Sequence, residues 1–459
     1  MRTYKRIGLM DHMGFGNMGD AAIQESFIAN IGRRLPGVHL VAFSLYPDDT
    51  AKRHGIFSYP LRWSHPTSAD SGAQCRGPSL KRRLKWLFKR LRPAYALAKP
   101  LYDAMREGRF LIRSYRIVKS LDLLVMSGGG QLCELYGRLP YNVFKFCVLA
   151  KLSGTPVFFV GVGADLLIRR SNKFFAKWSV RLADRVSFRS VESQALIRAL
   201  GVKKETDVVP DPAYGLAVKS YVTSERAEIL SASEAQSLFR NVDSHHQQRV
   251  MSPQVSRRNG AHSKGSAGTV GLNPIGFCDP RRWPRKDGAL YSHYLKKLTA
   301  FSCWLLEHDY RVEIFTSDIS GDIDAMQDLE TAIMSSLSSP RQCELAVLAK
   351  LTLKELLTQI ATFDYVVTSR FHGVIFSHLL AKPVIALSYL PKIDDLMRTS
   401  GHGQYCLEIE HFDGSTLTDR FAAMVAEENH LRIRFQEISK AYSETLDAHF
   451  DELFLPKMQ

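Results

Sequence analysis

Arg370 and His372 stand two residues apart in TSRFHGVIFSHLLAKPVIALSY, a stretch that begins where the apolar run YVVT ends. A guanidinium can grip a phosphate or carboxylate through two parallel hydrogen bonds. An imidazole is the side chain best suited to move a proton near neutral pH. The periodicity that follows predicts a helix from about His372, whose first N–H groups lack intrahelical partners and favour an anion. Ser369 sits at the same strand end. Lys392, beyond the next apolar run in SYLPKIDDLM, would turn a second cation toward the same crevice, and Arg189 closes a strand-like run in FRSVES in the first half of the chain. A capping serine, a paired arginine and a satisfied histidine would account for the same letters. The convergence of all three on one strand end favours an anion site with a proton-transfer group beside it. Arg189, taken alone, reads more readily as a surface or salt-bridge residue.

Three glycine clusters also fall after apolar runs. In HMGFGNMGDAAI, Gly14, Gly16 and Gly19 match the G-x-G-x-x-G spacing by letter, with Asn17 and Asp20 at the start of a helix that Asp20 could cap. A dinucleotide site would also want an acid closing the next strand, and Asp48 and Asp49 come late for that. SGGGQL places Gly129 and Gly130 after a strand, and GVGADLL repeats the arrangement. Either turn could admit a sugar or phosphate, or be crowded backbone.

The elements that must position these residues alternate. RIGLMDH, HLVAFSL, LDLLVMSGGG, TPVFFVGVGA and DRVSFRS read as strands separated by helical periodicities, and the alternation restarts at Thr269 with TVGLNPIGF, RVEIFT, CELAVLA, YVVTS and PVIALSY. Apolar strands alternating with helices predict parallel sheets covered on both faces. The fold class expected is α/β, with two doubly wound Rossmann-like domains facing a cleft. The first spans 1–220, with a basic insertion at 76–119. A polar Ser/Arg/His/Gly-rich linker or surface loop occupies 221–268. The second domain spans 269–410, and a helical segment runs 411–459. Ligands of such sheets lie beyond the carboxyl ends of the strands, where the residues above fall.

A chain of 459 residues is too long for one ordinary domain. The formal charge is +15, and residues 76–119 hold fourteen Lys and Arg against two acids, a surplus of twelve. Leu, Trp and Phe interleave with these cations, as in a basic helix lying on an anionic membrane; a solvated helix with snorkelling stems would read similarly. No nucleic-acid motif accompanies the charge. No apolar run reaches the length of a membrane span, and the N-terminus lacks the look of a signal peptide. The seven scattered cysteines suggest neither a disulfide framework nor a metal site. His245 and His246 lie in a polar low-complexity stretch and do not read as a metal site. The expectations are therefore no metal, no cofactor and a cytoplasmic location, with peripheral contact to the inner membrane face through 76–119.

GNMGD, SGGG, GVGA, FRSVESQALIRALGV, VVPDPAY and above all SRFHGVIFSHLLAKPVIALSYLPK, in this order, resemble the polysaccharide pyruvyl transferase family. The resemblance implies a two-domain architecture like that of GT-B glycosyltransferases. It also implies transfer of the pyruvyl group of phosphoenolpyruvate to a pair of sugar hydroxyls, as a ketal, on an exopolysaccharide or cell-envelope glycan precursor, often lipid-linked. Arg370 and His372 match the family's donor-site arginine and histidine, Lys392 its following lysine, and Arg189 a facing arginine. Asn17 and Asp20 match the N-terminal signature. The basic insertion and the linker lie outside the shared motifs. Two other readings use the same scaffold. A glycosyltransferase with a nucleotide-sugar donor would want a carboxylate pair for the ribose, and no E-x₇-E-type pair lies near Arg370. A non-catalytic scaffold in polysaccharide biosynthesis would have no use for Arg370 and His372.

Overall fold

The computed structural model describes residues 4–10, 16–63, 92–134, 139–222, 267–337, 345–347 and 352–455. Gly14, His245–His246, the first part of the basic segment (76–91) and most of the linker (223–266) lie outside the described residues.

The first lobe is built on a seven-stranded parallel sheet: β1 (Arg6–Met10), β2 (His39–Ser44), β3 (Phe57–Pro60), β4 (Leu123–Ser127), β6 (Val157–Val162), β8 (Arg185–Phe188) and β9 (Asp207–Val208). Two short strands, β5 (Leu132–Cys133) and β7 (Ala164–Asp165), pair separately. The sheet order is β3-β2-β1-β4-β6-β8-β9. Between the strands run α1 (Met18–Arg34), α2 (Pro47–His54), α3 (Arg92–Lys119), α4 (Leu139–Ser153), α5 (Arg170–Leu182) and α6 (Val191–Ala199).

The second lobe has a six-stranded parallel sheet of order β12-β11-β10-β13-β14-β15. Its strands are β10 (Gly268–Asn273), β11 (Tyr310–Ile314), β12 (Leu345–Val347), β13 (Tyr365–Thr368), β14 (Val384–Ser388) and β15 (Cys406–Glu408). Its helices are α7 (Gly288–Glu307), α8 (Ile319–Ser336), α9 (Leu353–Ala361), α10 (Phe371–Leu379), α11 (Pro391–Thr399), α12 (Gly414–Ala426) and α13 (Glu428–Phe454). Central strands such as LLVMS, YVVT and VIALS are buried at every position, the pattern of strands covered on both faces.

In each sheet the strand order reverses beside the first strand, between β1 and β4 and between β10 and β13. These are the switch points at which open α/β sheets bind ligands. The lobes meet there: Met18 N donates to Ser317 O at 2.8 Å, and Ile319 N to Gly16 O at 2.9 Å. Asn17 and Asp318 thereby form an antiparallel bridge between the lobes.

Helix α13 ties the lobes together. It starts on the second lobe, where Leu431 and Phe435 are buried and Glu428 accepts from the Tyr365 hydroxyl. It ends on the first, where Phe450 packs edge-on to Phe27 (5.2 Å) and Arg34 Nε reaches Asp451 at 2.6 Å. One apolar cluster runs from Ile7, Leu9 and Phe27 through this helix into the second lobe. A second cluster covers the other face of the first sheet under α3, α4 and α5, through Phe110, Phe146 and Val180.

Candidate functional site

Helix α10 is the centre of the site. Its N-cap is Arg370, whose side chain makes no capping bond, so the first N–H groups open toward the cleft. The helix begins at Phe371, one residue before the expected start. Phe371 gives the cluster its apolar floor: the Arg189 guanidinium lies 4.8 Å from its ring centroid and the Lys392 ammonium 5.5 Å. Lys392 stands in the first turn of α11, which opens on Pro391 and also lacks a side-chain cap.

Arg189 comes from the first lobe, at the end of β8, and its side chain is only 5% exposed. Its Nη1 donates to Asp211 Oδ2 at 3.0 Å. The fit over Gly163 is tight, since a Cβ there would lie 2.5 Å from Arg189 Nε. Gly163 N in turn donates to Gly129 O at 2.7 Å, which joins the two glycine turns, and Gly130 lies against Arg189 Nη2.

His372 completes the group. Its ring lies on the backbone of Gly19 from the other lobe, where a Cβ would fall 1.9 Å from Nδ1. Its Nε2 has no hydrogen-bond partner among the described residues and sits 3.9 Å from Asp211 Oδ1. Burial, followed by the charges of Arg189, Lys392 and Arg370, lowers the imidazole pKa to about 4; Asp211 opposes the shift. The ring is therefore neutral at pH 7. Burial and the neighbouring Arg189 and Arg370 also pull the Lys392 ammonium below its usual value, against the weaker pull of Asp165. Among the described residues Lys392 forms no ion pair. Two cations and a neutral imidazole thus share a desolvated space with one contacting carboxylate, an arrangement that a bound anion would relieve.

The other expected residues lie around this group. Arg370 turns beneath it: Nε and Nη2 bind Asp322 at 2.7 and 2.6 Å, and Nη1 lies 3.2 Å from Asp318. Burial works against its charge, but Asp322 and Asp318 hold the guanidinium well above its ordinary value. Arg370 thus contributes charge to the site rather than a free donor face. Ser369 is fully buried, with its hydroxyl 2.9 Å from the Tyr294 hydroxyl. Asn17 caps α1, accepting from the N–H groups of Gly19 and Asp20 at 3.0 and 3.3 Å. Asp20 lies one turn in, beside Gly129. Asp49 is paired with Arg53 inside α2, away from the end of β2. Among the described residues, no group of His, Cys, Asp and Glu side chains could hold a metal ion.

Asp211 and Phe371 were not among the residues singled out from sequence. Asp211 caps the turn Pro212–Gly215, accepting from Ala213 N at 3.0 Å while it holds Arg189. The available signal was an acid between two prolines just past a short strand.

The close seat of His372 on Gly19 gives a direct expectation. Gly19→Ala displaces the ring and separates the lobes, and a misplacement of about 1 Å costs on the order of 100-fold in rate. Gly32→Ala is the control, since it lies in the same helix with nothing within 4 Å. It should leave kcat/KM unchanged and stabilise the helix by about 1 kcal/mol. Steady-state kinetics and melting curves of the two variants check the contrast.

Two Rossmann-like lobes closing over a cleft define a GT-B-like fold, and solved structures of that architecture match the chain end to end. UDP-GlcNAc 2-epimerase from Methanocaldococcus jannaschii superposes with a TM-score of 0.54 at 10% identity, covering 92% of each chain. MnaA of S. aureus, solved with UDP, gives 0.56 at 9% identity over 99% of this chain and 98% of that one. A glycosyltransferase from Rickettsia africae gives 0.54 at 9% identity over 99% and 98%. At such identities the likeness is one of fold. A search of curated proteins by sequence gave no match. The family model for polysaccharide pyruvyl transferases matches residues 17–391, from the cap of α1 to the start of α11. The chain belongs to the polysaccharide pyruvyl transferase family.

Proposed function

We propose that the protein transfers the pyruvyl group of phosphoenolpyruvate to two hydroxyls of a sugar in an exopolysaccharide or cell-envelope glycan precursor, forming a ketal and releasing inorganic phosphate. The observation that carries this reading is the convergence of Arg189 and Lys392 on Phe371, from opposite lobes, beside the Nε2 of His372. Phosphoenolpyruvate is small and carries both a phosphate and a carboxylate. Arg189 and Lys392 would bind these groups, with the open N-termini of α10 and α11 adding N–H donors. Arg370 would act from beneath through its charge, fixed by Asp318 and Asp322.

The chemistry balances without a metal or cofactor. A proton adds to the methylene carbon of phosphoenolpyruvate, and the first sugar oxygen bonds to C2 as its own proton leaves. The C2–O bond to phosphate then breaks with its electron pair on phosphate. The second sugar oxygen bonds to C2 and loses its proton, so the two hydroxyl protons replace the one delivered to carbon and supply the one on the departing hydrogen phosphate. His372 would deliver the first proton, and Asp211, 3.9 Å away, favours its charged form. The cations would stabilise the departing phosphate.

A thermal-shift titration tests the reading. Phosphoenolpyruvate at a hundredfold excess over its Kd should stabilise the protein by about 2.7 kcal/mol, because it binds the native state alone. UDP-sugars should leave the melting temperature unchanged, and Lys392→Ala should abolish the response to phosphoenolpyruvate. A shift with UDP and none with phosphoenolpyruvate would select a nucleotide-sugar transferase instead.

A further inference from the structure

Helix α3 carries half of the cations of the basic segment, and its outward face combines them with exposed apolar side chains. Phe110, Ser114 and Val118 point inward and are buried. Tyr102, Met105 and Ile112 point outward and are 55, 54 and 57% exposed. Their spacing of three to four residues places them on one stripe with Arg109, Arg113 and Arg116. The helix's two acids are drawn away from that stripe. Glu107 pairs with Lys145 at 3.4 Å, and an oxygen of the Asp103 carboxylate is buried.

Beside the stripe is an open surface groove of about 470 Å³ lined by Arg6, Arg109, Arg113 and Arg116 together with Ile112, Ile117, Tyr59 and Ser120. Arg6 is held in place by the Ser120 hydroxyl at 2.8 Å and the Tyr59 hydroxyl at 3.2 Å, while its buried Nε has no hydrogen-bond partner. Asp122, at the start of the neighbouring strand, spends its carboxylate on the backbone N–H groups of Lys5 and Arg6 at 2.7 and 2.8 Å. Among the described residues, none of the four groove arginines forms an ion pair. Four guanidinium groups around one groove, with no carboxylate paired to their side chains among the described residues, suit a phosphate group.

We propose that the outward face of α3 is a docking surface for an anionic phospholipid membrane, with lipid phosphates entering the arginine groove and Tyr102, Met105 and Ile112 entering the headgroup layer. A cationic groove alone would serve a free phosphate equally well. The exposed apolar stripe beside it matches a membrane interface, where apolar insertion and attraction to anionic lipid act together. The sequence leading into α3 adds seven Lys and Arg and no acid over residues 76–91. Arg6 opens β1 whereas the cleft lies past the other end of that strand, so docking here leaves the cleft uncovered. The proposal stands apart from the choice of donor, because no residue of the cleft takes part.

Co-sedimentation of the full chain with vesicles tests it. Phosphatidylglycerol vesicles should retain the protein at low salt and release it as salt rises, and phosphatidylcholine vesicles should not bind it. R109Q/R113Q/R116Q should lower partitioning about 100-fold, at one cation's share of surface attraction each. M105S/I112S, which keeps the charge, should lower it about tenfold through lost apolar burial. All five side chains are partly or fully exposed, so both variants should melt with the wild type and keep its thermal response to phosphoenolpyruvate. Several results would overturn the proposal: equal binding to both lipids, full binding by the triple variant, or binding of a single-stranded RNA oligonucleotide without vesicle binding. An arginine-dependent thermal shift with inorganic phosphate, in protein that ignores vesicles, would assign the groove to a free phosphate and overturn the membrane source.

Discussion

If His372 delivers the proton as proposed, His372→Gln should lower kcat by about 10²–10⁴-fold, the usual worth of a positioned general acid, and should change the KM for phosphoenolpyruvate far less. Inorganic phosphate released in the presence of a sugar acceptor reports kcat. A second readout needs no acceptor. The His372 pKa is lowered to about 4 in the free protein, chiefly by burial and then by three surrounding cations. At pH 6 to 7 the ring is therefore neutral. A bound donor brings negative charge against those cations and raises the pKa, so binding draws a proton from solution. The sign of the His372 contribution follows from linkage: it strengthens binding as pH falls toward the free-protein value, because the imidazole holds more proton in the complex than in the free protein. Calorimetric titrations in buffers of different ionisation enthalpy measure that uptake. Near pH 6 the wild type should take up more protons per donor than the glutamine variant, whose exchange reports only the donor phosphate, a group that itself titrates near pH 6. A variant that kept both the turnover and the wild-type uptake would move the acid to another side chain.

Most of the architecture could be read in the sequence, because apolar strands alternating with helices leave few topologies. RIGLM, LLVMS, YVVT and VIALS are strands as expected, and each lobe has the doubly wound order with its switch point at the glycine or arginine clusters. The crossing of α13 back onto the first lobe could not be read. Helical periodicity marks Glu428–Phe454 as a helix, but nothing local says that Phe450 finds Phe27 some four hundred residues earlier in the chain.

The site was legible as a set of residue types but not as pairings. The motifs place Arg189, Arg370, His372 and Lys392 at strand ends. They do not say that Asp322 and Asp318 claim the Arg370 guanidinium while Arg189 reaches across to Phe371. That division depends on side-chain reach across two loops and the lobe boundary. Gly19 was legible as a turn glycine, but its closest constraint is a ring from the other lobe.

Asp322→Ala destabilises the protein by about 3–5 kcal/mol, as expected when one partner of a buried pair is removed and the other stays charged. Asp322 is fully buried and holds two nitrogens of Arg370, while also accepting from the Thr316 hydroxyl at 3.2 Å and from Gly276 N at 3.3 Å. Asp318→Ala costs less, since that contact is longer and part-exposed, at 3.2 Å with both side chains 12% exposed. Urea unfolding curves, with m unchanged, measure both losses. The double replacement R370M/D322L removes both charges and should recover most of the stability, because well-packed apolar side chains replace a buried ion pair at little net cost. That recovered protein isolates the role of Arg370. If its charge helps to hold the donor, the double variant folds yet loses affinity for phosphoenolpyruvate, and the His372 pKa rises because one of its three repelling cations is gone. If Arg370 only anchors the start of α10, the stable double variant binds phosphoenolpyruvate as the wild type does. The two outcomes separate a charge felt by the substrate from one spent wholly on the fold.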